Sequence, residues 1–281
     1  MTDSANPLEG KVALITGAAR GQGRSHAIRL ASEGADIIAL DICRDIETMD
    51  YPNASPEDLE KTVCEVEALG RRIVTFETDV RDASAVKSAV DQGHAEFGRL
   101  DIVLSNAGIV RFADGPEDER ARLWQDVLDT NLSGGWHTVS AAIPHIIAGG
   151  RGGSIVLTGS TAGVRPVANS TVASYAYTAS KWGLVGLCKQ WAATLAEHSI
   201  RVNIVHPTGV VSGMTMNDAM ARLAEEAAAG GDNSLSTMQN ALPIDILQPG
   251  DISDAISFLV SDKAKWITGV SLPVDAGFSI R

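Results

Sequence analysis

Cysteine is scarce in this chain. The three present, Cys43, Cys64 and Cys188, are odd in number and scattered in spacing, which argues against a disulfide framework. No CxxC and no clustered His/Cys spacing occurs, so no metal site is expected. Basic residues are outnumbered: 23 Lys and Arg face 35 Asp and Glu, for a formal net charge of −12. With no Lys/Arg run to make a basic face, nucleic acid is not an expected partner. The acidity reads as that of a soluble protein with no general attraction to polyanions. Long apolar runs are also missing. None approaches the roughly 20 residues that span a bilayer, and the opening "MTDSANPLEGK" has no apolar signal core. A cytoplasmic location and no membrane partner are therefore expected.

The 281 residues, 44% of them hydrophobic, suffice for a large core in one domain. Short β-branched runs recur: "KVALIT" (11–16), "DIIAL" (36–40), "RIVTF" (72–76), "DIVL" (101–104), "SIVLT" (154–158), "RVNIV" (201–205) and "VSLPV" (270–274). Several are almost continuously apolar, as in strands covered on both faces. Helical stretches such as 21–33, 56–69, 83–97 and 178–198 alternate with them. That alternation predicts an α/β fold, a doubly wound parallel sheet of about seven strands flanked by helices. Two connections are long. Residues 43–54, "CRDIETMDYPNA", end at Ser55 and Pro56, which read as the N-cap and first turn of a helix. Residues 209–245 read as a lid over a binding site or an ordinary surface insertion. Their Met214, Met216, Met220 and Met238 suit either a pliable apolar wall or the core of a lid helix.

"TGAARGQG" (16–23) follows the first strand and opens a helix. Gly17, Gly21 and Gly23 let the backbone turn tightly and approach a pyrophosphate at a helix N-terminus. An acid is then expected at the end of the second strand, and Asp41 is there. Its carboxylate would accept from ribose hydroxyls and repel a 2′-phosphate, favouring NAD over NADP, although Arg20 and Arg44 pull the other way. Asp79, after the third strand, either meets the adenine edge or caps a helix. In "YAYTASK" (175–181), only Tyr177 has a lysine four residues on, Lys181, which places the two on one helix face. Tyr175 is read as pocket lining or packing, and His206 as structural.

Taken in order, "TGAARGQG", "SNAG" (105–108), Asn131 in "TNLSGG", Ser160 in "LTGSTAG", "YTASK" (177–181), "HPTGV" (206–210) and "ITGVSLPVDAG" (267–277) resemble the short-chain dehydrogenase/reductase family over nearly the whole chain. The segment 43–54, with "HPTGV" and "AARGQGRSHA", resembles its carveol-dehydrogenase subgroup, many of whose members are associated with the redox peptide mycofactocin and hold NAD tightly. The resemblance implies a single Rossmann-type domain over 1–281. It implies a catalytic set of Asn131, Ser160, Tyr177 and Lys181. It implies an NAD site built from Gly17, Arg20, Gly21, Gln22, Gly23, Asp41, Asp79 and Val80, then Asn106, Ala107 and Gly108, and finally Tyr177, Lys181, Pro207, Thr208, Gly209 and Val210. Ser105 stands where the family more often has Asn, and the Ser160–Tyr177 interval is longer than usual.

Under that resemblance Tyr177 is the acid/base for hydride exchange between NAD and an alcohol. A free phenol titrates near 10; Lys181 and the oxidised nicotinamide are expected to lower it. Ser160 would hydrogen-bond the substrate oxygen, and Asn131 would position a water leading from Lys181 to solvent. The implied substrate is a small apolar secondary alcohol or ketone, terpenoid-like. The rivals are a 3-oxoacyl reductase or hydroxysteroid dehydrogenase on the same fold and a non-catalytic dinucleotide sensor. A homotetramer with contacts through 272–281 is also implied, as is a mycofactocin-type redox partner.

Overall fold

The computed structural model describes residues 6–166, 170–228 and 239–281. Seven parallel strands form one sheet: β1 (Val12–Thr16), β2 (Asp36–Asp41), β3 (Ile73–Glu77), β4 (Ile102–Ser105), β5 (Gly153–Thr158), β6 (Ile200–Pro207) and β7 (Ser271–Val274), in the spatial order β3-β2-β1-β4-β5-β6-β7. Each lies within two residues of its expected position. The helices are α1 (Gly21–Ser32), α2 (Pro56–Glu67), α3 (Ala83–Phe97), α4 (Arg120–Leu128), α5 (Gly134–Gly149), α6 (Val172–Thr194), α7 (Asp218–Ala228) and α8 (Pro249–Val260).

The near-continuous apolar strands are explained by the two layers they separate. Ala13, Ile15, Ile37 and Ala39 face a core shared with α1 and α8. Their neighbours Val12, Leu14, Ile38 and Leu40 face the opposite core, shared with α3, α5 and α6. Because successive strand residues point to opposite faces, an apolar residue is required at almost every position. The chain turns one way out of β1, towards β2 and β3, and the other way from β4 onward. The reversal opens a crevice at the carboxyl ends of β1 and β4, where ligands of such sheets bind.

Local signals act as expected at α2. Ser55 and Asp58 form a reciprocal capping box, with Pro56 in the first turn. Helix α6 departs from expectation by starting at Val172, not residue 178, and ending at Thr194. Thr171 caps it by accepting from the Ser174 N–H at 3.1 Å, and Ala173 and Ala176 carry its buried face back into a Ser/Thr-rich stretch that by composition resembles a loop.

Packing between layers is tight at Gly93 of α3. A Cβ built there would lie 2.6 Å from Ile38 Cγ2 and 3.0 Å from Cδ1. Gly93→Ala gains up to about 1 kcal/mol of helix propensity, but overpacking against a β-branched strand residue costs about 1–3 kcal/mol. The expected outcome is a lower urea midpoint for Gly93→Ala, measured by circular dichroism.

Candidate active site

The crevice is built upward from one backbone crossing. Thr16 closes β1, and its hydroxyl accepts from the N–H groups of Asn106 and Ala107, both at 3.1 Å. Asn106 returns the contact, its side-chain amide donating to the Thr16 carbonyl at 3.0 Å. Ser105 takes no part in this lacing, which uses the backbone of 106 and 107 and the Asn106 side chain. The glycine-rich turn rests on the crossing. Gly17 has φ +67°, and a Cβ there would sit 3.0 Å from Ala107 Cα. Gly23 has an ordinary φ and is needed for a different reason: its Cβ would lie 1.9 Å from the Gly17 carbonyl oxygen. Helix α1 then starts with no side-chain cap at Arg20, so its first N–H groups remain available at the crevice.

One open cleft takes in most of the expected residues. Gly17, Arg20, Gly21, Gln22, Asp41 and Asp79 line one end. Val80, Asn106, Ala107 and Gly108 line the middle, and Ser160, Tyr177, Lys181, Pro207, Thr208 and Val210 the other end. Gly23 and Gly209 lie outside the lining, the first beneath Gly17, the second bonding through its carbonyl to the Leu247 N–H at 2.9 Å.

Asp41 ends β2 and accepts from the Ala19 N–H at 2.9 Å and the Cys43 N–H at 3.3 Å. Burial pushes its carboxyl up, against the opposing pull of those N–H groups and of Arg20. Asp79 lines the cleft and departs from one of its two readings, that of a helix cap. Burial works to raise its carboxyl, but Arg81, bonded at 2.7 Å, and Arg44 at 3.2 Å hold it below the usual range. The N-cap of α3 is Asp82, so Asp79 is no cap, and its oxygens are already committed to guanidinium groups. Arg20 turns from the ribose end to donate to the Pro52 carbonyl at 2.7 Å.

At the other end, Tyr177 and Lys181 share one turn of α6 and Ser160 follows β5. The Lys181 amine is buried and donates to the Thr158 carbonyl at 2.9 Å. It stands 5.4 Å from the centroid of the Tyr177 ring. Burial pushes the Tyr177 phenol up from 10, a hydrogen bond from Ser160 opposes it, and the lysine contributes no resolved lowering. Burial also lowers the Lys181 ammonium to about 8. Asn131 is buried behind the cleft in a π-turn (Asp129–Ser133) between α4 and α5. Both ends of its amide hold Ile109: it accepts from the N–H and donates to the carbonyl, each at 2.8 Å. Its side chain therefore clamps the segment after β4, and it also donates to the Ser180 hydroxyl at 3.4 Å.

The course of residues 43–54 was not legible in the sequence. The segment folds back over the crevice. The Val110 N–H donates to the Tyr51 hydroxyl at 3.3 Å and Arg111 donates to the Thr48 carbonyl at 2.8 Å. Ile46, Met49 and Tyr51 pack with Ile109, Ala173 and Ala176, and Tyr177 and Met214 lie against this cluster. The run of apolar side chains in an otherwise polar loop was the available signal. Of the methionines, Met214 lines the cleft, Met216 is 63% exposed, and Met238 lies outside the described residues. Tyr175 is 58% exposed and stands off the cleft. Among the described residues, no helix is long and apolar enough to cross a membrane.

Comparison with known proteins adds an independent line. Residues 11–222 match the family model described as short chain dehydrogenase. A (−)-trans-carveol dehydrogenase of Rhodococcus erythropolis is 45% identical, covering 98% of this chain and 99% of its own length. The crystal structure of a carveol dehydrogenase from Mycobacterium avium in complex with NAD is 49% identical, with a TM-score of 0.90 over 98% of this chain and 100% of that one. A short chain dehydrogenase from Mycobacterium paratuberculosis bound to NAD is 44% identical, with a TM-score of 0.89 over the same shares.

The buried ammonium has a stability signature. Below about pH 8 both folded and unfolded chains hold the Lys181 proton, and the fold bears the full desolvation penalty. Between about 8 and 10.5 the folded chain loses that proton first, and the penalty, roughly 3 kcal/mol, is relieved. Lys181→Met lacks this term. The stability of the parent relative to Lys181→Met should therefore rise from pH 7 to pH 10.5, as read from paired denaturation curves.

Proposed function

Because the chain belongs to the short-chain dehydrogenase family, we propose that it transfers a hydride between NAD and a small, mostly apolar secondary alcohol or its ketone, terpenoid-like as carveol is. The observation that carries this reading is the placement of Tyr177, Lys181 and Ser160 on one wall of the cleft whose far end is the glycine-rich turn.

The residues fit the dinucleotide. The uncapped start of α1 offers backbone N–H groups and a positive dipole end to a pyrophosphate. The Gln22 side-chain oxygen is buried in that cleft with no partner among the described residues. Asp41 stands at the ribose end. Arg20 donates to the Pro52 carbonyl and Arg44 pairs with Asp79, while the Asp41 carboxylate would repel a 2′-phosphate. This supports NAD over NADP. When bound, the nicotinamide accepts or supplies the hydride.

The chain's own residues handle the proton and the oxygen. Tyr177 takes the hydroxyl proton during oxidation and returns it during reduction. The protein alone leaves this phenol above its ordinary value, so ionisation draws on the positive charge of the oxidised coenzyme as well as on Ser160. Ser160 hydrogen-bonds the substrate oxygen as charge develops on it. Lys181, pinned to β5, supplies a positive charge near the ring below about pH 8. Asn131 keeps the backbone at Ile109, which forms part of the apolar wall, in register. Ile46, Ile109 and Met214 on that wall support an apolar substrate.

The exposed large aromatic residues support self-association as a tetramer. Trp136, Trp182 and Tyr175 are 49%, 47% and 58% exposed on α5 and α6, and Trp266 and Ile280, near the carboxyl end, are 88% and 85% exposed. Exposed aromatic side chains are common at contact surfaces. A cytoplasmic setting and a mycofactocin-type acceptor complete the reading; the segment 43–54 lying over the crevice supports a coenzyme that stays bound between turnovers.

Two measurements test it. Tyr177→Phe should lose about 10²–10⁴-fold in turnover of cyclic terpene alcohols with NAD binding intact. In the parent, oxidation should rise with pH and reduction fall, because oxidation needs the phenolate. Turnover confined to acyl-carrier 3-ketones in a substrate panel would reject the substrate class. For retention, desalted and then denatured protein should release nucleotide detectable by absorbance and mass; an empty site rejects a permanently held coenzyme.

A further inference from the structure

His206 is fully buried on β6, directly beneath the turn that carries Ser160. Its Nδ1 lies 2.8 Å from the Ser160 carbonyl oxygen and 3.4 Å from the Ser160 nitrogen. The shorter contact assigns the ring proton to Nδ1, which donates to the carbonyl. That carbonyl also accepts from the Gly163 N–H at 2.8 Å. Room for the ring exists only because residue 159 is glycine. A Cβ at Gly159 would stand 2.5 Å from His206 Nδ1 and 2.8 Å from Cε1. The backbone at Ser160 is extended, with φ −170° and ψ 161°, and its hydroxyl accepts from the Ala162 N–H at 3.2 Å.

Packing alone does not account for an imidazole here. Nε2 is buried with no partner among the described residues, and an unpartnered buried nitrogen is unfavourable by about 1–3 kcal/mol. An apolar side chain of similar size would fill the space without that penalty. The hydrogen bond to Ser160 is what the imidazole adds. Burial keeps the ring neutral, with the Lys181 charge acting in the same direction and Asp275 against it.

We propose that His206 is the positioning residue of Ser160: its Nδ1–H grips the Ser160 carbonyl from below, so that the serine hydroxyl is held facing Tyr177 and the substrate oxygen. This rests on the reading of Ser160 given above. His206 touches neither coenzyme nor substrate and acts only through the serine.

The test is a kinetic cycle on the full-length protein, with NAD and a cyclic secondary alcohol as substrates. His206→Leu should lower kcat about tenfold, the scale of one lost neutral hydrogen bond, with KM for NAD unchanged. His206→Asn, whose amide places an N–H close to that of Nδ1, should recover kcat to within about twofold of the parent. In a Ser160→Ala background, His206→Leu should cause no further loss, since interacting residues are non-additive. Gly159→Ala, which displaces the ring while keeping the histidine, should reproduce the loss if His206→Leu fails to fold. Additive losses, or an Asn variant as slow as the Leu variant, overturn the positioning role while leaving the proposed reaction standing. Full turnover in Ser160→Ala alone overturns the role of the serine and this inference with it.

Discussion

Everything at the cleft depends on the lacing of Thr16 to Asn106 and Ala107. Two parallel strands diverge in their onward connections at this point, and a sheet that splits its crossovers leaves an opening there. The Thr16 hydroxyl and the Asn106 amide close the gap between β1 and β4 at 3.0–3.1 Å. That closeness leaves no volume for side chains in the adjacent turn, and glycine follows. The turn in turn sets where α1 begins, and therefore where its free N–H groups point. Three side chain–backbone hydrogen bonds thus fix the glycine-rich end of the cleft.

The opposite end obeys a different constraint, that of charge in a poor solvent. An ammonium buried on a carbonyl dipole is costly for the fold, and a phenol enclosed beside it resists ionisation. Under the proposed reaction, the positive ring of the oxidised coenzyme would supply stabilisation of the phenolate that burial withholds, and proton transfer would then be coupled to occupancy.

Much of this was legible in the sequence, for physical reasons. Strands covered on both faces need apolar residues at nearly every position, so β1, β2 and β5 stand out. Glycine at 17 and 23 is forced by close backbone approach, and the acid at 41 stands where a strand end meets the crevice. Tyr177 and Lys181 announce themselves by helical spacing. Other features depend on tertiary contacts that leave little local trace. The start of α6 is hidden because Ser and Thr serve caps and loops alike. The occupation of Asp79 by Arg81, the clamp of Asn131 on Ile109, and the path of residues 43–54 are settled by partners distant in sequence. The sign of the Tyr177 shift turns on burial, which no spacing rule encodes.

The Tyr177 phenol and the Lys181 amine ride one turn apart on a single 23-residue helix, while much of the apolar wall facing them comes from connections outside the sheet. Their mutual distance is set by helical pitch, which loop edits do not alter. Lengthening, shortening or reshaping the wall segments changes which molecules fit while the proton-handling geometry stays fixed. A scaffold divided in this way can diversify its repertoire by remodelling the periphery, with no need to reinvent the reaction each time.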